Sequence, residues 1–268
     1  MVAAAKLWRA MTRVIAVTSQ KGGVAKTTTT ANLAAAWGRD GRRVLCVDLD
    51  AQFALTRAFG CVPSQFAATT LEAMSGAASA ADAAHGDVAP GVWLMPARRE
   101  LRNLELTLAA ETLRETFLAR ALAPIVEHYD VVLIDCPPNL GLLTVNALFA
   151  AAEALVPVSM LDSGALQGAG EVQATIATLA QRDVPIRLTA LLRTMADPRR
   201  LAYRALDEAL ATLDAPIAAT EIPLRAEFQN ATVLGVPLVV ADPRSIGALA
   251  YEALAGELAA LGALAVSR

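Results

Sequence analysis

The chain has 268 residues, a formal net charge of −3 and a hydrophobic fraction of 55% that alanine inflates. No stretch reaches the roughly twenty strongly apolar residues of a membrane span, and the overall charge offers no general attraction for nucleic acid, so any such contact must come from a local patch. Cys46, Cys61 and Cys136 lack metal-ligand spacing and read as reduced thiols in or beside the core of a cytosolic protein.

Residues 1–12 hold Lys6, Trp8 and Arg9 but no long apolar core or cleavage site, so they read as a short tail and not a secretory signal. From residue 13 to 268 a single domain is expected. It opens with a β-like run, Val14 to Val17, then the stretch Lys21-Gly22-Gly23-Val24-Ala25-Lys26-Thr27-Thr28, then a helix-like run from Thr28 to Arg39. Lysine is scarce, three residues against twenty arginines, so two lysines five positions apart in this stretch carry information. In a strand, loop and helix of this kind, backbone N–H groups from Gly22 to Thr28 turn onto phosphate oxygens, and the helix N-terminus adds partial positive charge. Lys26 reaches the β and γ phosphates as a compact charge that arginine cannot replace. Thr27 offers a hydroxyl to Mg²⁺.

The next run, Arg43 to Gln52, reads as a buried-type strand that ends with two carboxylates, Asp48 and Asp50, on one face. At the C-terminal end of a parallel strand they look into the crevice where nucleotides bind. An Ala/Gly-rich polar span from Ser75 to Gly91 leads to a strand from Val92 to Pro96 and a long helical region, about Arg99 to Val126. Tyr129 to Asp135 is a buried-type strand that delivers Asp135 toward a Mg²⁺ water shell, and Pro137 and Pro138 stop it. A helix from Leu142 to Ala151, a strand from Ala154 to Val158, a helix from Gly168 to Gln181 and a strand from Ile186 to Leu192 follow. A helix from Arg199 to Leu213, a last strand from Pro216 to Ile222 and a closing helix from Ile246 to Leu261 complete the chain. The alternation predicts an α/β fold, doubly wound, with a mostly parallel sheet flanked by helices.

The loop departs from the usual nucleotide pattern: Ser19 or Gln20 stands at its first glycine position and Ala25 before Lys26. With Lys21 at its start, it resembles the deviant phosphate loop of the ParA/MinD family of ATPases. The Asp48 to Gln52 segment, the Asp135 to Gly141 segment and the block from Ile222 to Tyr251 are similar to that family too, although Asn139 stands where serine is common. The resemblance implies a P-loop ATPase that uses ATP/ADP and Mg²⁺. It implies that Lys21 is a signature lysine reaching the partner's nucleotide in an ATP-sandwich homodimer, and that Asp50 orients the attacking water. Asp135 acts on the metal through water, Asp48 supports the metal shell, and Pro223 lies near the adenine.

For the ParA branch it further implies nonspecific DNA binding by the ATP dimer, nucleoid association, and a ParB-like or other cargo-linked activating protein. The chain would then partition or position a plasmid, chromosome or protein cargo. Candidate DNA contacts are Arg193, Arg199, Arg200, Arg204 and Arg225, while Glu227 occupies a position where the family often has arginine. Only about twelve residues precede the first strand, so the family's N-terminal helix-turn-helix domain is not expected. The alternatives are a nucleotide-switched scaffold and a MinD-like membrane ATPase. The membrane form would need a basic amphipathic C-terminal helix, and the alanine-rich end from Ala250 to Arg268 does not supply one.

Overall fold

The computed structural model describes residues 12–261. The expected tail thus lies outside the described residues, apart from Thr12. That residue is buried, with Oγ1 3.0 and 2.9 Å from the carbonyls of Val126 and Tyr129. Residues 262–268, the end of the segment weighed for membrane contact, also fall outside.

Seven strands form one sheet: β1 (Arg13–Val17), β2 (Val44–Asp48), β3 (His85–Ala89), β4 (Val92–Met95), β5 (Val131–Asp135), β6 (Glu153–Ser159) and β7 (Arg187–Thr194). Their order is β3-β4-β2-β5-β1-β6-β7, and every pairing is parallel except β3 with β4. The central strands are buried on both faces, as a parallel sheet requires. Alternate residues feed two cores: Val14, Ala16, Leu45, Val47, Val132 and Ile134 point one way, and Ile15, Val17, Val44, Cys46, Val131 and Leu133 the other.

The helices are α1 (Lys26–Arg39), α2 (Ala54–Ala58), α3 (Thr70–Ser75), α4 (Ala80–Ala83), α5 (Leu101–Ala109), α6 (Phe117–Leu122), α7 (Leu142–Ala150), α8 (Gly164–Ala180), α9 (Leu201–Ala211), α10 (Glu227–Leu234), α11 (Leu238–Ala241) and α12 (Ile246–Leu261). α1 is the most deeply placed. Its Trp37 donates to the Ala255 carbonyl of α12 at 3.2 Å, and its Asn32 accepts the Val239 N–H at 3.0 Å. Gly38 lets the β3–β4 turn close on it, because a Cβ there would strike the Pro90 carbonyl.

Three expectations are corrected. The region from Arg99 to Val126 is broken into α5, α6 and short 3-10 turns. Leu113 takes a positive φ of 55°, and buried Asn146 holds the break by bonding the Arg114 carbonyl and the Leu118 N–H. The span from Ser75 to Gly91 is not merely polar loop, since it contains α4, capped by Ser79, and the edge strand β3. The segment from Pro216 to Ile222 is no regular strand. It meets β7 in an isolated bridge at Leu191–Ile217 and again where the Ile222 N–H donates to the Arg193 carbonyl at 2.9 Å. Between those points the N–H groups of Ala219 and Thr220 turn away to the Glu257 carboxylate, at 2.6 and 2.8 Å.

Candidate functional site

The C-terminal ends of β1, β5 and β2 lie side by side, with Val17 in register with Asp135 and Asp135 with Asp48. The loop leaving β1 rises over these ends and enters α1. It turns through left-handed conformations at Gly23 (φ 75°) and at Ala25 (φ 68°), the residue before the helix. For alanine that conformation is strained by about 1 kcal/mol. Thr194, at the end of β7, holds the loop by donating to the Val24 carbonyl at 3.1 Å.

The two loop lysines have opposite settings. Lys26 is buried and its Nζ donates to the Lys21 carbonyl at 3.1 Å. Burial pulls its pKa down, against the pull of Asp135, Cys136 and Asp50. Lys21 is half-exposed and pairs with Asp162, just beyond β6, at 3.0 Å. Gly164, at the start of α8, leaves room for the pair, since a Cβ there would press on both Asp162 and the Lys21 Nζ.

Thr27 Oγ1 donates to Asp135 at 2.7 Å, and Thr30 Oγ1 lies 3.4 Å from the other carboxylate oxygen. Asp135 and Asp48 are both buried, with pKa values pushed up to about 8 and about 7, first by desolvation. Their proximity adds to the rise at Asp135. The desolvated Asp135 carboxylate beside the Thr27 hydroxyl offers hard oxygen donors in a place short of positive charge, which suits a divalent cation.

Asp48 itself is turned into the protein, which revises its expected place in the metal shell. Its oxygens accept the Asp50 N–H at 3.1 Å, the Thr56 N–H at 2.9 Å and the Thr56 hydroxyl at 2.8 Å. Thr56 Oγ1 in turn accepts the Ala97 N–H at 3.1 Å. Asp48 therefore fixes the loop that presents Asp50. Asp50 is partly exposed, and only one of its carboxylate oxygens takes a donor among the described residues, the Gln52 N–H at 2.9 Å.

Beside the loop opens a cleft of about 170 Å³, lined by Ala25, Thr28, Met195, Pro223, Phe228 and Tyr251 among others. Tyr251 is buried, shares a hydrogen bond of 3.1 Å with Thr29, and meets Phe228 edge-on at 5.7 Å. Pro223 thus lies next to Ala25 and Thr28, where a group attached to loop-bound phosphates would extend.

The arginines separate into two groups. Arg193 bonds Asp207 at 2.7 Å and the Ala218 carbonyl at 3.2 Å, so its expected role as a surface cation is corrected to a tie between β7 and its neighbours. Arg199 and Arg200 share Asp197, at 2.8 and 3.5 Å, and these arginines hold the Asp197 carboxyl down near 2. Arg204, Arg225 and also Arg244 are exposed, and among the described residues their side chains have no hydrogen-bond or ion-pair partner. Glu227 is turned to α12, where its carboxylate accepts the Gly247 N–H at 2.8 Å in the helix's first turn.

Sequence reasoning passed over Asp162, Thr56, Thr194 and the structural use of Glu227. Asp162 was within reach of the same rule that marked Asp50 and Asp135, since it is a carboxylate beyond the C-terminal end of a parallel strand.

A family model described as an AAA domain matches residues 12–189. The sporulation initiation inhibitor protein Soj of Bacillus subtilis is 34% identical, over 94% of this chain and all of Soj. The chromosome partitioning protein ParA of Myxococcus xanthus is 33% identical, over 94% of this chain and 89% of its own. Among solved structures, a Mycobacterium smegmatis protein named cobyrinic acid a,c-diamide synthase, with bound ADP and magnesium, is 36% identical. It superposes with a TM-score of 0.79, covering 92% of this chain and 93% of its own. The same protein has also been solved with an ATP analogue and magnesium.

Proposed function

Since the chain belongs to the ParA/MinD-type P-loop ATPases, we propose that it is an ATP-driven dimer switch that grips DNA without sequence preference and positions a cargo. The observation that carries this reading is the opposition of the two lysines. Lys26 is buried and turned inward over the strand ends, while Lys21 is half-exposed and held only by an ion pair at the surface.

The backbone from Gly22 to Thr28 and Lys26 hold the phosphates, and the cleft at Pro223 and Phe228 takes the nucleoside. Thr27 and, through water, Asp135 would hold Mg²⁺. The metal supplies neutralisation of phosphate charge when bound. Asp50, presented by the Asp48–Thr56 anchor, keeps one carboxylate oxygen available to orient a water. Lys21 exchanges Asp162 for the nucleotide of the partner subunit and stabilises charge there.

DNA contact is assigned to Arg204, Arg225 and Arg244, which are exposed and unpaired among the described residues, with Arg199 and Arg200 contributing less because Asp197 offsets one of their two charges. A cargo-linked, ParB-like protein would accelerate hydrolysis and release the dimer. Among the described residues no helix is long and apolar enough to cross a membrane.

Lys21→Ala tests the switch. We expect it to bind ADP like the parent chain but to remain monomeric with ATP, measured by light scattering coupled to gel filtration. An ATP-dependent dimer of unchanged affinity would remove Lys21 from the interface and with it the sandwich.

A further inference from the structure

We infer that Glu105, on α5 and outside the nucleotide-facing set, is a positioning residue for hydrolysis: it fixes the 136–141 loop against the phosphate loop. The inference rests on the ATPase reading above. Helix α7 starts after Gly141, which brings no side chain to satisfy the helix's first N–H groups. Glu105 supplies that cap from a different helix, its Oε1 accepting the Leu143 N–H at 3.2 Å. A negative charge at a helix N-terminus is also favoured electrostatically.

Gly141 has an ordinary φ of −71°, so the backbone does not demand glycine there. A side chain there would instead displace the Glu105 carboxylate, because a Cβ would fall on it and crowd the Asn139 amide oxygen. Gly141 and Glu105 thus form one close-fitting joint between α5 and the start of α7.

The loop that ends at this joint is short and stiff. Its other end is Asp135, held in the sheet between β1 and β2. Pro137 and Pro138 lock their own φ angles. Asn139 closes the turn, accepting the Gly141 N–H at 2.9 Å while its carbonyl accepts the Thr144 hydroxyl at 2.6 Å. Midway, Pro138 lies near the phosphate loop, its Cβ 4.0 Å from where a Cβ on Gly22 would stand. A shift of the joint therefore has little slack to absorb it before it reaches Pro138, beside the phosphate loop. Nucleotide affinity depends on Lys26 and the rest of the loop, and these do not touch Glu105. The expected effect is on turnover.

The test uses the full chain, with ATP hydrolysis, ADP binding and thermal unfolding measured for Glu105→Ala, Glu105→Gln and Glu105→Asp. Ala removes the acceptor, Asp withdraws it by one methylene, and Gln keeps a carbonyl oxygen in reach of Leu143. For Ala and Asp we expect kcat to fall at least about fivefold while KM and ADP affinity stay within about twofold, with Gln keeping half or more of the parent kcat. A role confined to packing would lower the unfolding midpoint and spare kcat. Unchanged kcat in Ala, or in Asp should Ala not fold, beside an active parent chain overturns the inference alone. A fall in Gln equal to that in Ala overturns the acceptor role. A parent chain that hydrolyses no ATP overturns the ATPase reading, and the inference with it.

Discussion

The strand-end centre and the arginine surface beyond β7 are built on opposite rules. At the centre, charged groups are buried and committed: Asp48 takes three protein donors, Asp135 two threonine hydroxyls, and Lys26 a backbone carbonyl. On the surface, Arg204, Arg225 and Arg244 are exposed and uncommitted among the described residues, whereas Arg193 pairs with Asp207, and Arg199 and Arg200 share the one charge of Asp197. The contrast separates tasks. A site that must hold triphosphate and metal needs fixed groups in a low-dielectric setting. A surface that must grip and release a polyanion needs charges that cost little to engage.

Substitutions can break this comparison, and the largest effect belongs to the centre. Lys26→Ala should lower kcat/KM for ATP by at least about a hundredfold, roughly 2.7 kcal/mol. A loss below tenfold would mean that the backbone alone holds the phosphates. Asp48→Ala should destabilise the fold by about 3 kcal/mol, because the N–H groups of Asp50 and Thr56 lose their acceptor in a buried place. Chemical denaturation measures this. A change under 1 kcal/mol would show that the loop carrying Asp50 does not depend on that anchor.

The surface should respond differently. Arg225→Ala should reduce the slope of log affinity for DNA against log salt by about one for each phosphate it no longer neutralises. Arg193→Ala should leave the slope alone and cost about 1 kcal/mol of stability instead. Equal slopes in the two variants would erase the distinction between free and committed arginines. The smallest effect is expected at Ala25, where glycine should relieve the left-handed backbone and raise stability by up to about 1 kcal/mol. A lower unfolding midpoint for Ala25→Gly would show that the methyl group is packed and useful.

Much of this was legible in the residue order. The parallel strands stand out as uninterrupted apolar runs ending in Asp48 and Asp135, and the phosphate loop by its glycines and paired lysines. What escaped depended on partners far along the chain. Residues 216–222 have the composition of a strand, but Glu257, 37 and 38 positions beyond Thr220 and Ala219, draws their N–H groups off the sheet edge. The break at Leu113 has no glycine or proline beside it, and Asn146 holds it from another helix. The sign of Glu227 is visible in sequence, and its target, the Gly247 N–H, is not. Likewise, the pairing of Arg193 with Asp207 is a fact of packing, and only packing separates it from Arg225.

The central claim joins the two regions: ATP held at the strand ends makes a dimer whose free arginines engage DNA. The most direct test is binding of the Asp50→Ala chain, which should trap the ATP dimer, to random-sequence duplex DNA with ATP and with ADP across a salt series. The account predicts tight binding with ATP only, falling steeply as salt rises. An intact ATP dimer that ignores DNA at low salt would contradict it, and would direct the switch to a protein surface instead.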